Sequence, residues 1–288
     1  MSSATPDRDR LHAVLDFYGE AGVDLALDET PHDRFAEGAR APAAGPSRSG
    51  ATRAEPASAA QAAPAPRPAF KLAGAPADDV AGDARARAAG ARTLEELEAI
   101  VAGFEGCALK ATAKNLAFGD GSPEARVMLV GEAPGADEDR IGKPFMGRSG
   151  QLLDRMLAAI GLGRGDVYIA NIVPWRPPGN RTPTPQEVAV CRPFIRRQIE
   201  LVSPEVLVCL GGPATQALTG TKDGILRARG RWSAYRLPER EIQALATLHP
   251  AYLLRQPLQK RLAWRDFRAL RRALDGESVP EPARPVTL

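Results

Sequence analysis

Four short apolar runs, separated by segments of helical periodicity, constrain the fold of this chain more than any other feature. Arg126–Gly131 (RVMLVG), Asp166–Val173 (DVYIANIV), Glu205–Leu210 (EVLVCL) and Ile242–Thr247 (IQALAT) are short and apolar, as buried strands are. Between the first two, Ser149–Ile160 places Leu152, Leu153, Met156, Leu157 and Ile160 on one helical face, with Gly161 to end it. After the second, Thr184-Pro185-Gln186-Glu187 is a capping box with proline in the first helical position, where its missing N–H costs nothing; this helix should reach about Val202. After the fourth, Pro257–Leu274 turns Leu258, Leu262, Phe267, Leu270 and Leu274 inward. The alternation predicts an α/β fold, a three-layer α/β/α sandwich around a central four-stranded, mainly parallel sheet. In such sheets the loops beyond the strands' carboxyl ends build the site. Those loops are Gly131–Gly135, the segment after Val173, and His249-Pro250.

A second capping box, Thr93-Leu94-Glu95-Glu96, opens a helix with Leu94, Leu97, Val101 and Phe104 on its apolar face, so the folded unit is expected over residues 92–276. Residues 39–91 are Ala, Pro, Gly, Ser and Arg without periodicity. Pro blocks regular structure and Ala offers little surface to bury, which predicts a disordered linker. Residues 1–38 hold one short helical pattern, Leu11–Leu27, either a docking peptide for an unknown protein or a weakly ordered appendage. Residues 277–288 read as a flexible tail. Lys+Arg is 38 against Asp+Glu 35, a balance that permits nucleic-acid binding without arguing for it. The three cysteines, Cys107, Cys191 and Cys209, are too sparse for a disulfide framework, which predicts a reducing, cytoplasmic location. No run approaches the about 18 consecutive apolar residues of a membrane span, and the polar first residues lack the apolar run of a secretion signal.

Within the loops, Gly131-Glu132-Ala133-Pro134-Gly135 is a tight turn that a ligand can approach closely. Its glycine spacing is not a dinucleotide fingerprint, and Gly142-Lys143 precedes Pro144, not the Ser or Thr of a Walker A loop. Phe145 lies in a Gly/Pro-rich loop, free either to stack on a flat ring or to tuck underneath. Asn171 interrupts an apolar strand. A buried amide needs partners for donor and acceptor or costs about 1–3 kcal/mol; a base edge or the backbone could supply them. His249, the one histidine of the predicted folded unit, ends the fourth strand before Pro250, a position that favours catalysis over packing.

Three segments together resemble the motifs of the family 4 uracil-DNA glycosylases. Gly131–Gly135 with Glu138-Asp139 and Gly142-Lys143-Pro144-Phe145 is similar to the first. Asn171-Ile172-Val173 with Arg176-Pro177-Pro178-Gly179-Asn180-Arg181 is similar to the second, and His249-Pro250-Ala251-Tyr252-Leu253-Leu254-Arg255 to the third. The resemblance covers roughly Thr93 to Leu274 and implies a monofunctional enzyme that flips uracil out of DNA and hydrolyses its N-glycosidic bond. By the same resemblance, Gly131, Ala133, Phe145 and Asn171 bind uracil, with Phe145 stacking on the ring and Asn171 reading its polar edge. His249 donates to uracil O2, helped by backbone N–H groups near Ala133. Glu138, Asn180 and Glu132 are the candidates to position the water. Pro250, Leu253, Arg255 and Arg181 face DNA, single- or double-stranded, with Leu253 as the wedge that fills the gap in the duplex. The chain is expected to act as a monomer.

The family's iron–sulfur cluster takes four cysteines, and only Cys107 and Cys191 match ligand positions; Phe104 and Trp175 stand at the other two. No cluster and no other cofactor or metal is therefore expected. A related branch traps the abasic sugar with a histidine in the second motif; residues 177–187 contain none, so turnover is expected. Family 1 relatives carry an Asp at the place of Ala133. Its absence, with the lost cysteines, leaves a rival reading, a non-catalytic binder of uracil-containing or deaminated DNA. A hydrolase of small nucleosides fits less well, since a free nucleoside needs neither a basic terminal helix nor a wedge.

Overall fold

The computed structural model describes residues 77–277, so the expected Leu11–Leu27 helix, residues 39–76 of the linker and residues 278–288 lie outside the described residues. Six strands form one sheet: β1 (Asp120–Gly121), β2 (Val127–Gly131), β3 (Val167–Asn171), β4 (Val206–Leu210), β5 (Trp232–Arg236) and β6 (Glu241–Thr247), in the order β1-β3-β2-β4-β6-β5. The four strands expected from the apolar runs are its parallel centre, with β2 pairing β3 and β4, and β4 pairing β6. The expectation of four strands is corrected by two antiparallel edges, β1 on β3 and β5 on β6. Neither carries a strong sequence signal, because β1 is two residues long and β5 buries only Trp232 and Tyr235, three apart and on opposite faces, without alternation or an apolar run.

Every residue of β2, β3 and β4 is buried, the pattern of parallel strands covered on both faces. Successive side chains leave opposite faces, and the core divides accordingly. Met128, Val130, Leu207 and Cys209 pack toward α1 (Ala77–Gly90), α2 (Leu94–Ala102) and α5 (Pro185–Val202). Val127, Leu129, Ile169 and Val208 pack toward α4 (Arg148–Ala158) and α9 (Lys260–Leu274), where Leu153, Leu157, Phe267 and Leu270 are fully buried. Each such side chain contributes about 1.5–3 kcal/mol by leaving water. The remaining helices are short: α3 (Ala136–Ile141), α6 (Gly212–Thr219), α7 (Ile225–Ala228) and α8 (Pro250–Arg255).

The Thr184 capping box forms in full and the Thr93 box only in its hydroxyl half, since Glu96 reaches back to Arg92 N–H at 2.6 Å and not to Thr93. The Thr93 hydroxyl accepts from Glu96 N–H at the start of α2, and the Thr184 hydroxyl from Glu187 N–H at the start of α5, with Glu187 returning to Thr184 N–H. The placement of the folded unit's start at residue 92 is corrected. Helix α1 occupies part of the expected linker and packs on α5. Its buried residues are Ala84 and Ala88. Small side chains bury little area each, but they let two helices approach closely, and alanine is the best helix former. A second correction concerns Leu258, expected inward but 86% exposed. It lies on the turn Pro257–Gln259, ahead of the helix whose periodicity it was assigned to.

Candidate active site

The carboxyl ends of the parallel strands meet at a cavity of about 510 Å³. From the first motif it is lined by Glu132, Ala133, Glu138 and Phe145, from the second by Asn171, Asn180 and Arg181, and from the third by His249 and Arg255. Segments distant in sequence thus converge as the three motifs require.

Gly131 ends β2 behind the cavity. An added Cβ there would lie 2.6 Å from both the Asn171 Oδ1 and the Phe145 Cζ, so glycine is what lets amide and ring lie against the strand end. Asn171, its partner in register on β3, is 4% exposed. Its Oδ1 is the one buried side-chain nitrogen or oxygen among the described residues with no hydrogen-bond partner. Such an orphan costs about 1–3 kcal/mol and calls for an explanation.

Phe145 is 4% exposed, has a positive φ of 55°, and stacks on His249 with centroids 5.4 Å apart and planes 28° from parallel. His249 caps α8: its Nδ1 accepts from Ala251 N–H at 3.1 Å, so the neutral ring carries its proton on Nε2. Burial, followed by the charge of Arg255, lowers the His249 pKa to about 4. At neutral pH it is an uncharged donor.

The water-positioning candidates differ. Glu132 is half-buried, and burial raises its pKa, offset in part by the Thr182 hydroxyl. Glu138 lines the cavity, but both of its oxygens have backbone partners. Its Oε2 accepts from Gly135 N–H at 3.0 Å, and its Oε1 from Met146 N–H at 2.8 Å and Gly147 N–H at 2.9 Å, so the carboxylate is a loop clamp. Asn180 is exposed, and its Oδ1 is taken by Arg176 Nε at 2.7 Å. That leaves Asn180 its amide donors and one of the two lone pairs of Oδ1.

The DNA-facing assignments divide in the same way. Arg255 is exposed at the cavity mouth. Arg181 also lines the cavity, but its guanidinium is held by both oxygens of Glu187, at 2.8 and 2.7 Å. Pro250, the first residue of α8, is buried and does not line the cavity. The wedge role of Leu253 is corrected, because that side chain is 1% exposed and packs with Leu248 and Ala263. A four-residue spacing from His249 turns it inward along α8, whereas Leu254 is 37% and Leu258 86% exposed.

Gly211 was given no role from sequence. It follows β4 as the N-cap of α6 with φ 91°, and an added Cβ would lie 3.0 Å from His249 Cβ. The Gly-Gly pair after the third apolar run was its only signal. Thr182 and Tyr252 also line the cavity.

Cys107 and Cys191 lie together with Sγ atoms 3.7 Å apart. Beside them Phe104 and Trp175 are 1% and 2% exposed, and Phe104 meets Phe194 edge-on at 5.0 Å. Cys209 is buried within β4. Two thiols and two apolar rings do not fit a cluster that takes four ligands. Among the described residues no three of His, Cys, Asp or Glu form a group that could hold a metal ion, and no helix is long and apolar enough to cross a membrane.

The chain is similar to the type-4 uracil-DNA glycosylase of Thermotoga maritima, 42% identical over 171 residues, covering 57% of this chain and 86% of the relative. It is 38% identical over 182 residues to that of Archaeoglobus fulgidus, covering 62% of this chain and 92% of the relative. To that of Sulfurisphaera tokodaii it is 36% identical over 184 residues, covering 62% and 84%. The model of the uracil DNA glycosylase superfamily matches residues 118–268, just over half of the 288. With the three motifs assembled on one cavity, these matches place the chain in the uracil DNA glycosylase superfamily, and within it the chain belongs to the type-4 family.

Proposed function

We propose that the protein is a monofunctional uracil-DNA glycosylase of base excision repair, acting as a cytoplasmic monomer without a cofactor. The observation that carries this reading is the orphaned Oδ1 of Asn171 in a cavity floored by Phe145 and His249. Uracil offers an N3–H to that oxygen and an O4 to the amide's Nδ2, while its ring stacks on Phe145. Cytosine presents the opposite pattern on the same edge and is refused by it.

Cleavage breaks the C1′–N1 bond, and the electron pair leaves with uracil. Negative charge then grows on O2, where the Nε2–H of His249 donates. A donor aimed in this way is worth about 3–4 kcal/mol in the transition state. A neutral imidazole suffices, since the leaving group is an anion stabilised by hydrogen bonds. Glu132, the one candidate whose acceptor atoms neither clamp a loop nor hold an arginine, takes a proton from water as its oxygen adds to C1′. The Glu132 carboxylate on the cavity wall also has the sign opposite to the charge that develops on the sugar.

Arg255 and the exposed Lys260, Arg261, Arg265 and Arg268 of α9 would meet phosphates. The apolar wedge falls to Leu258 and Leu254, both exposed in the segment that follows His249. The apolar rings beside Cys107 and Cys191 support a cluster-free enzyme; about four irons per purified chain, with absorbance near the visible edge, would reverse that part of the reading.

The deciding experiment uses a labelled oligonucleotide with one uracil, excess protein and EDTA, followed by alkali. A break at uracil that appears only after alkali supports the proposal. No break, with a mobility shift specific to uracil DNA, would favour the non-catalytic binder.

A further inference from the structure

The base platform is built on an awkward backbone. Phe145 holds φ at 55°, a region that a bulky side chain rarely adopts, and its ring packs on His249. Something must hold the segment there against relaxation. Two side chains of opposite charge do so from opposite edges. On one edge, the Glu138 carboxylate accepts from the N–H groups of Met146 and Gly147. On the other, the Arg164 guanidinium donates through Nη2 to the Phe145 carbonyl at 2.6 Å and through Nη1 to the Pro144 carbonyl at 3.2 Å.

Arg164 is itself braced. Its Nη1 also reaches Asp120 Oδ2 at 2.9 Å, and its Nε reaches Asp154 Oδ1 at 3.1 Å. Those two carboxylates belong to β1 and α4, so the fork ties the loop to an edge strand and a core helix. Helix α4 leaves room for this at Gly150, where an added Cβ would sit 1.7 Å from the Phe145 carbonyl oxygen. Arg164 does not line the cavity. Nothing in the reaction needs its charge at the base.

We infer that Arg164 is a positioning residue for base recognition: it fixes the Phe145 platform from behind, through the carbonyls of Pro144 and Phe145. The inference rests on the glycosylase reading for its kinetic consequence but not for its structural one. A planar, five-donor fork is required, because two carbonyls and two carboxylates are held at once. Lysine keeps the charge and can hold only part of that set.

The test compares the full-length protein with Arg164→Gln and Arg164→Lys. The first readout is the NMR shift of the His249 ring protons, which the stacked Phe145 ring displaces through its ring current. The second is the single-turnover rate on uracil DNA, normalised to folded protein, alongside affinity for DNA that already carries an abasic site. Both variants should move the His249 resonances toward their unstacked positions. The rate should fall about 10²-fold, the usual consequence of a small misplacement of reacting groups, with affinity for abasic DNA unchanged. Arg164→Lys retains a cation for Asp120 and Asp154, so it guards against a variant that merely fails to fold. Unchanged His249 resonances and an unchanged rate in folded variants would overturn the inference. Displaced resonances in the variants, with a parent protein that cuts no uracil DNA, would uphold the positioning role and sink the glycosylase reading instead.

Discussion

Asn171→Leu should make the protein more stable and nearly inactive at once. Leucine matches asparagine closely in shape, so the substitution removes the unpaired Oδ1 without opening a void beside Gly131 and Phe145. An unsatisfied buried acceptor costs about 1–3 kcal/mol, and exchanging it for an apolar group of the same shape recovers that cost. In a folded unit of this size each kcal/mol moves the melting temperature by about 2–4 °C, so a rise of roughly 2–12 °C is expected. On the substrate side, uracil N3–H and O4 would both lose partners in a dry pocket, at about 1–3 kcal/mol each. The single-turnover rate, with protein in excess of DNA but below saturation, should therefore drop roughly 30-fold to 10⁴-fold. Differential scanning calorimetry and the alkali-developed cleavage assay read the two effects independently. A melting temperature at or below that of the parent would refute the claim that the orphaned oxygen is a stability cost. Undiminished cleavage would remove Asn171 from the recognition edge.

Four further outcomes follow from the same geometry. His249→Ala should lower the chemical step by about 10²–10³-fold while leaving the dissociation constant for uracil DNA nearly unchanged; weakened binding with intact single-turnover cleavage would contradict its role. Glu132 must be ionised to take a proton and burial raises its pKa above 4.5, so the rate should fall with an acid limb centred above that value, and Glu132→Gln should abolish the limb together with most of the rate. His249 adds no limb near neutrality, but its pKa of about 4 against 6.5 unfolded means the unfolded chain binds the extra proton between those values, so chemical denaturation should show stability declining as pH falls through that window. Leu258→Ala should slow uracil removal from duplex DNA far more than from single strands, where no stack has to be refilled; equal slowing of both would argue against a wedge.

The parallel centre of the sheet and the cavity position were legible because they rest on short-range signals. Doubly buried strands leave uninterrupted Val, Leu and Ile runs, and the site of such a sheet lies where those runs end. Helix α1 was not legible, because its contribution comes from the absence of side-chain bulk at Ala84 and Ala88 where α5 approaches, and absence of bulk reads like linker composition. Edge strand β5, WSAYR, has mixed polarity and buries one residue on each face, Trp232 and Tyr235, which resembles a loop until its partner β6 is known. Within the site, residue types were readable but their partners were not. Glu138 reads as a free carboxylate until the fold brings Met146 and Gly147 onto it, and Leu253 reads as a projecting wedge until a single turn of α8 sends it into the core. Such reassignments depend on which direction a side chain leaves its element, and spacing along the chain does not encode that when the element begins at a cap such as His249.

The clamped loop that bears Phe145 also bears on how the protein would search DNA. With both edges of residues 144–147 tied down, the receptor for the base exists before any DNA arrives, and little of the free energy of contact is spent on shaping it. The variable step then belongs to the nucleic acid. A uracil opposite guanine leaves the helix more readily than one opposite adenine, because less pairing has to be given up. A rigid receptor of this kind turns that difference in duplex opening directly into a difference in capture, so deaminated cytosines would be found ahead of uracils incorporated opposite adenine without a single side chain reading the opposite strand.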